Sequence, residues 1–259
     1  MNGPGASGRL LLRASRSGSQ TVLSDLYRTA PFHPGPLHRR DGIAEIVIQG
    51  VGPGIFPGDR LHVDVTVDAG AALAVTGQGA TKLYPASAGQ HAASETILTV
   101  GQNATLWWLP GVVIPFRDAN FTSAAMVNLD PGARLVLLEI VTPGRTAMGE
   151  SFRYARLDLR LRIDVAGTPL LIERALLEPA LRPLPVPGRQ GAFPCAGTLV
   201  LVGFGKPDLA AGNREDILLG ADGDERLTMV RGLGRSADAL RSALLAVAQS
   251  IACTGGGSP

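Results

Sequence analysis

Two segments of the sequence alternate strictly between apolar and polar residues, and this pattern constrains the fold more than any other feature. Within residues 152–165 the apolar positions are Leu157, Leu159, Leu161, Ile163 and Val165, and the charged positions between them are Asp158, Arg160, Arg162 and Asp164. Residues 61–68 repeat the same alternation. Because successive side chains of a strand point to opposite faces, each segment predicts a strand with one buried face.

Further apolar runs, each bounded by turn residues, predict additional strands. They cover residues 43–49, 71–76, 94–100, 104–109, 121–129, 134–141, 170–177, 198–203 and 226–231. Three similar turn quartets begin at Gly70, Asn103 and Gly132, at a spacing of about 30 residues that is typical of stacked repeats. The sequence therefore predicts a mainly β fold of stacked or helical β-sheet layers, built from many short strands. A plain β-sandwich is the alternative.

One or two short helices are also predicted. A C-terminal helix follows Ser236, a residue suited to cap it, and its apolar positions at helical spacing are Leu240, Leu244, Val247 and Ile251. A shorter helix is predicted near residues 208–211. The stretch from Pro179 to Pro194 carries too many prolines for a central strand or a helix. We divide the chain into a disordered tail (1–8), a single β-rich domain (9–253) and a second disordered tail (254–259).

The composition and net charge of the chain limit the classes of partner that we expect it to bind. The 33 glycines and 19 prolines suit short strands joined by tight turns, and 24 basic residues nearly balance 22 acidic ones, giving a formal net charge of +2. A nucleic-acid-binding protein normally shows a basic face, so we expect no nucleic-acid partner. There is no run of about 18 apolar residues and no charged-then-apolar leader. We therefore expect no membrane partner and a cytoplasmic location.

Complete sets of catalytic residues are missing from the sequence. The four histidines, His33, His38, His62 and His91, show none of the tight spacings of metal ligands. There is no Gly-x-Ser-x-Gly elbow, and the glycine-rich residues 50–54 precede a predicted strand rather than the helix that a phosphate-binding loop requires. We therefore predict a protein that binds other molecules, is not an enzyme and holds no cofactor tightly.

Several polar side chains interrupt apolar or glycine-bounded segments. They are Gln78, Lys82 and Tyr84 after one strand, Glu139 within another, Arg145 and Glu150 in a glycine-bracketed turn, and Glu173 and Arg174 in a third strand. A buried carboxylate must be paired, hydrogen-bonded or neutral. Two interpretations stay open: these groups pair internally, or they line an internal passage or groove whose acidic oxygens touch a cation.

Five segments, in this order, resemble the urease accessory protein family UreD, called UreH in some organisms. They are residues 57–61, 76–84, 108–116, 144–150 and 171–174, and the C-terminal part from Met229 to Ile251 is also similar. The chain departs from the family pattern at Gly77 and Gly79, where the family usually has Thr and Ala. It departs again at residues 111–113, where the family has a polar stretch that includes a carboxylate.

This resemblance implies a β-rich maturation factor for nickel urease with no catalysis of its own. It implies binding to a UreF-like accessory protein, which recruits a UreG-like GTPase, and docking of the assembly on apo-urease. Nickel would be in transit, and weak oxygen contacts at Glu139, Glu150 and Glu173 suit such a path. The remaining candidate residues are assigned to partner binding or to structure: Asp59, Gln78, Lys82, Tyr84, Trp108, Pro110, Pro115, Phe116, Arg145 and Arg174.

An enzyme acting on glycans is the main alternative. It would need two carboxylates about 5–9 Å apart across an open cleft, with Glu139, Glu150 and Glu173 as candidates. A structural β module without either activity is a third interpretation. For the neighbouring Trp107 and Trp108, we expect one in the core and leave the place of the other open.

Overall fold

The computed structural model describes residues 5–40, 43–187 and 189–254. In chain order the strands are β1 (Ser7–Ser17), β2 (Gln20–Arg28), β3 (Phe32–Pro34), β4 (His38–Arg40), β5 (Ile43–Gly50), β6 (Arg60–Val67), β7 (Ala72–Gln78), β8 (Ala80–Leu83), β9 (Ala92–Val100), β10 (Thr105–Leu109), β11 (Val112–Pro115), β12 (Asn120–Leu129), β13 (Arg134–Val141), β14 (Arg156–Val165), β15 (Thr168–Leu177), β16 (Cys195–Val202), β17 (Ile217–Gly223) and β18 (Leu227–Gly234). The helical elements are two 3-10 turns, Thr146–Met148 and Leu209–Gly212, and the α-helix α1 (Ala237–Thr254). None of these described helices is long and apolar enough to cross a membrane.

The described strands form two sheets that pack face to face. The smaller sheet has the spatial order β15-β14-β12-β9-β6-β1-β2, and the larger sheet follows the path β17-β18-β16-β13-β10-β7-β5-β3. In the larger sheet β4 also pairs with β5, while β11 pairs with both β13 and β8. The protein is therefore mainly β, as the sequence predicts.

The chain passes back and forth between the two sheets and adds one parallel strand to each sheet per coil. In the smaller sheet β6, β9, β12 and β14 are parallel neighbours, and in the larger sheet β5, β7, β10 and β13 are. One inward-facing row of the smaller sheet runs through Val65, Leu98, Val127 and Ile163. Each coil thus buries its apolar face on its neighbours, as in other stacked folds. The prediction of stacked layers is confirmed.

The three similar quartets are the tight turns at one end of this stack. Each contains a residue with left-handed backbone, with φ of 67° at Gly70, 57° at Asn103 and 75° at Gly132. In each turn the amide of the following alanine donates to the carbonyl three residues earlier, at 3.0 Å. Glycine and asparagine adopt the left-handed conformation at little cost, and the alanine is small enough to be buried behind it. The recurring sequence therefore encodes a recurring turn.

Two apolar cores lie on the two sides of the larger sheet. Leu135 and Trp108 belong to the core between the sheets. Val136 and Trp107 belong to the core between the larger sheet and α1. Because adjacent strand residues face opposite sides, the two tryptophans separate, and both are buried.

The C-terminal helix packs its apolar stripe on the larger sheet, as its spacing predicts. Leu240, Leu244, Val247 and Ile251 are all buried in the second core. The Ser236 hydroxyl accepts a hydrogen bond from the amide of Ala239 at 3.2 Å, which confirms the predicted cap.

Ser236→Ala is expected to lower the free energy of unfolding by about 1 kcal/mol, because an amide of the first helical turn loses its acceptor. Urea unfolding followed by tryptophan fluorescence measures this change. Ser236→Asn keeps a capping oxygen and is the matched control, so an equal loss in both variants would contradict the capping role.

Some boundaries differ from the sequence prediction. Ser7 and Gly8, assigned to the N-terminal tail, open β1, and Thr254, assigned to the C-terminal tail, ends α1; residues 1–4 and 255–259 lie outside the described residues. The predicted strand 152–165 begins only at Arg156, since Phe152 has a left-handed φ of 55°. The strands that the sequence pattern did not predict are β1, β2, β3, β4, β8, β11 and β17.

Other local predictions are confirmed. Between β15 and β16, the described residues of the proline-rich stretch form neither strand nor helix. The short helix near residues 208–211 is the 3-10 turn Leu209–Gly212, and the Asp208 carboxylate accepts from the amide of Ala210 at 2.9 Å.

Candidate functional site

A cavity of about 450 Å³ lies between the two sheets, at the end of the stack opposite the tight turns. Its walls are formed where strands of the larger sheet end and strands of the smaller sheet begin. Val63, Trp108 and Phe121 contribute apolar surface, and Gln78, Lys82 and Glu139 contribute polar groups. The interior of the protein therefore contains a space large enough for a small solute, with a carboxylate on its wall.

Glu139 lies on the face of β13 that points toward the smaller sheet. Its neighbours on that face are core residues such as Leu137, while Leu138 and Ile140 face α1. The part of Glu139 that is not covered by protein borders the cavity. Burial, reinforced by the nearby Glu173 carboxylate and opposed by Arg231, raises the pKa of Glu139 to about 7. Glu139 can therefore hold a proton or balance a cation near neutral pH.

A row of polar side chains extends from Glu139 to the open edge between the sheets; we call Glu139, Thr198, Arg231 and Glu173 the polar row. Thr198 of β16 pairs with Glu139 on one side and with Arg231 of β18 on the other. Arg231 donates from Nη1 to the Thr198 hydroxyl at 2.7 Å, and from Nη2 to Oε1 of Glu173 on the smaller sheet. The polar row thus joins the two sheets beside the cavity.

Glu150 lies apart from the other two candidate carboxylates. Arg145 donates to both of its oxygens, from Nε at 2.8 Å and from Nη2 at 2.7 Å, and the Arg117 amide donates to Oε2 at 3.3 Å. These hydrogen bonds, led by those from Arg145, lower the pKa of Glu150. The pair closes the turn between β13 and β14, and Glu150 does not line the cavity.

Aromatic side chains from successive coils contact one another at the cavity end of the fold, with Phe56 stacked on Tyr84 and Phe116 tilted against Tyr84. The ring centroids of Phe56 and Tyr84 are 4.3 Å apart, and those of Tyr84 and Phe116 are 4.9 Å apart. The Arg145 guanidinium lies 4.1 Å from the Phe116 ring centroid. Each of the four residues comes from a different long connection between the sheets. Tyr84, Phe116 and Arg145 therefore tie these connections together.

The other residues singled out from the sequence divide between the cavity wall and local structure. Gln78, Lys82 and Pro110 line the cavity, and Gln78 and Lys82 are also exposed to solvent. Asp59 is buried, and its carboxylate accepts from the amides of Ala6 and Phe56, each at 2.8 Å. Pro115, at the end of β11, is buried.

The departures from the family pattern are neighbours in space. A Cβ atom added at Gly77 would lie 2.0 Å from the carbonyl oxygen of Pro110, and one added at Gly111 would lie 2.7 Å from that of Gly79. Gly111 also has a left-handed φ of 104°. The backbones of two connections approach closely here, on the cavity wall, and only glycine permits this.

Arg174 faces away from the cavity, on the outer side of the smaller sheet. It donates to both oxygens of Asp158, at 2.8 and 2.9 Å, and Arg160 and Arg156 donate to the same carboxylate. The Asp158 side chain is fully buried beneath these three arginines, and the hydrogen bonds from Arg174 and then Arg160 lower its pKa. We did not single out Asp158 from the sequence, because it looked like one of several outward-facing charges.

The arrangement offers few oxygen ligands, and they are dispersed. Within the described residues, no group of three or more His, Cys, Asp or Glu side chains could hold a metal ion. Glu150 and Glu173 are each engaged by an arginine, and Glu139 lies in the interior. These carboxylates therefore do not flank an open cleft as a pair, which removes the arrangement that the glycan-active alternative requires.

The fold and the site define a class: a solenoid-like protein of two stacked sheets with one carboxylate, Glu139, on the wall of the cavity between them. The family model described as UreD urease accessory protein matches residues 6–259, and the chain belongs to this family. It is 33% identical to the urease accessory protein UreD of Cupriavidus necator, over 91% of this chain and 86% of the relative. It is 31% identical to UreD of Haloarcula marismortui, over 93% and 84%, and 30% identical to UreH of Helicobacter pylori strain G27, over 61% and 60%.

Proposed function

We propose that this chain is a cytoplasmic maturation scaffold for urease that conducts nickel through its interior. In this role it binds a UreF-like protein, which brings a UreG-like GTPase, and docks on apo-urease. Nickel is cargo, and no cofactor is held tightly. Family membership supports the role in urease maturation, and the interior geometry supports the passage.

The single observation that carries the passage is the position of Glu139 on the wall of the inter-sheet cavity. Nickel is a divalent cation of intermediate softness, and isolated carboxylate oxygens bind it more weakly than clustered imidazoles or thiolates do. A path needs such weak contacts, because a complete ligand set would retain the metal. Glu139 lines the cavity, and Glu173 is not among the lining residues but lies on the opposite sheet, near enough to raise the pKa of Glu139. The two carboxylates offer two of these contacts.

Glu139→Ala and Glu173→Ala are each expected to reduce nickel loading of apo-urease by about tenfold, without reducing partner binding. The experiment mixes the full chain with apo-urease, the UreF-like protein and the UreG-like GTPase, and then measures urease-bound nickel by elemental analysis. Partner binding is measured separately by size-exclusion chromatography.

Two control variants separate the passage from other roles. Glu95→Ala removes an exposed carboxylate that pairs with His62 on the outer face, and it is expected to load normally. Glu150→Ala breaks the Arg145 pair and is expected to lower thermal stability while leaving loading per folded molecule unchanged. Normal loading in both Glu139→Ala and Glu173→Ala would rule out the passage, and failure of the wild type to bind any partner would rule out the scaffold.

A further inference from the structure

Arg231 is the cation of the polar row, and it spans the gap between the two sheets. Its side chain starts on β18 of the larger sheet, donates to Thr198 of the same sheet at 2.7 Å and reaches Glu173 of the smaller sheet. Neighbouring strands in a sheet are about 4.8 Å apart, so Arg231 lies about 10 Å along the row from Glu139. Its backbone is therefore two strands away from that of Glu139, and its side chain is at the partly exposed end of the polar row.

The two partners of this ion pair differ in their access to water. The Arg231 side chain is 52% exposed and that of Glu173 is 20% exposed. The arginine can therefore swing into solvent without crossing the core, whereas the carboxylate stays on the interior wall. Within the described part of the chain, the second oxygen of Glu173, Oε2, is buried and has no hydrogen-bond partner. This carboxylate has acceptor capacity that Arg231 does not use.

We propose that Arg231 is a displaceable internal counter-cation: it occupies Glu173 while the passage is empty, and a divalent cation replaces it there, beside Glu139. The inference rests on the proposed passage and adds a regulating residue to it. In the exchange one guanidinium–carboxylate pair breaks, cation–carboxylate contacts form, and water takes up the guanidinium. No electron or covalent bond is transferred.

This arrangement limits how long a cation stays. Without Arg231, the nearby carboxylates of Glu139 and Glu173 would lose the cation of the polar row, and they would attract and retain a divalent cation more strongly. With Arg231 tethered nearby, the ion pair re-forms as soon as the cation moves on. Arg231 suits this task because its second Nη group stays bonded to Thr198, which keeps the positive charge close to Glu173.

The test measures nickel retained by the isolated full-length protein, by equilibrium dialysis against Ni²⁺ alone. Arg231→Gln is expected to retain nickel at least about tenfold more tightly than the wild type, and Arg231→Gln combined with Glu173→Gln is expected to lose this gain. Arg231→Lys keeps the charge and is expected to stay near the wild type. Arg160→Gln removes an arginine from the outer face, where it pairs with Asp158, and is the matched control.

A second readout follows transfer from the same variants to apo-urease with the partner proteins present. Arg231→Gln is expected to release nickel more slowly even though it binds more. Unchanged nickel retention in Arg231→Gln, or a gain that survives Glu173→Gln, would overturn the inference while leaving the scaffold role intact. If the wild type transfers no nickel at all, that result would instead count against the proposed function. The dialysis comparison of the wild type with Arg231→Gln would still test the role of Arg231.

Discussion

Glu139→Gln is expected to stabilise the protein above neutral pH. The change that this substitution makes in the free energy of unfolding is expected to be about 3 kcal/mol more favourable above neutral pH than near pH 4. The pKa of Glu139 is raised from 4.5 to about 7, chiefly by burial. At pH values between these two pKa values, Glu139 is protonated in the folded protein but ionised in the unfolded chain. The free energy of unfolding of the wild type therefore falls as the pH rises through this range. The loss is complete above the folded pKa, and the glutamine variant has no such titration.

Urea unfolding of both proteins at about pH 4 and about pH 8.5 measures this difference. Glu150→Gln is the control with the opposite sign, because Arg145 lowers the pKa of Glu150. That variant is expected to lose stability at all pH values above the ordinary carboxylate range. Parallel pH profiles for the wild type and Glu139→Gln would contradict the burial of an ionisable Glu139.

Asp158→Ala is expected to lower the free energy of unfolding by about 2 kcal/mol at neutral pH, because the charge-assisted hydrogen bonds from three arginines are lost and these like charges remain close together. The estimate is modest because the arginine heads are half exposed and can turn into water. The pKa of Asp158 lies below its ordinary value of 3.8. Its contribution is therefore full above pH 3.8 and is lost as the pH falls further.

Asp164→Ala provides a comparison on the same strand and the same face. Asp164 pairs with Arg162, with Nε at 2.9 Å from Oδ1, so its loss leaves a single arginine without a partner. The effect is expected to be no more than about half that of Asp158→Ala. Thermal unfolding of the two variants side by side measures the ratio, and equal destabilisation would show that the arginine cluster adds nothing beyond one pair.

The sequence pattern predicted most of the long central strands but missed β1 and several short or edge strands. β6 and β14 are half-buried strands whose inward residues are all apolar, so the periodicity is complete. β2 is an edge strand of the smaller sheet, and its Leu26 and Tyr27 remain exposed, so its apolar and polar residues do not alternate cleanly. An edge strand buries less of its surface than a central strand does. Burial therefore constrains the apolar–polar alternation of its sequence less.

The candidate site was predicted as a set of residues but not as an arrangement. Arg145 and Glu150 are five residues apart in one turn, and a local pair was a natural expectation. Glu139, Thr198 and Arg231 come together only through the pairing of β13, β16 and β18, which no local pattern reveals. Glu173 and Arg174, in contrast, had to face opposite sides because they are adjacent in a strand.

The two ends of the stack place different constraints on chain length. The tight turns at Gly70, Asn103 and Gly132 fix a left-handed residue and a buried alanine, so an inserted residue would shift the register of the following strand. The connections at the other end carry β8, β11 and the aromatic stack, and can vary in length around it. Because the strand register does not fix these connections, we expect insertions among homologues to concentrate there. Evolutionary change in length would then reshape the mouth of the cavity while the stacked coils stay the same.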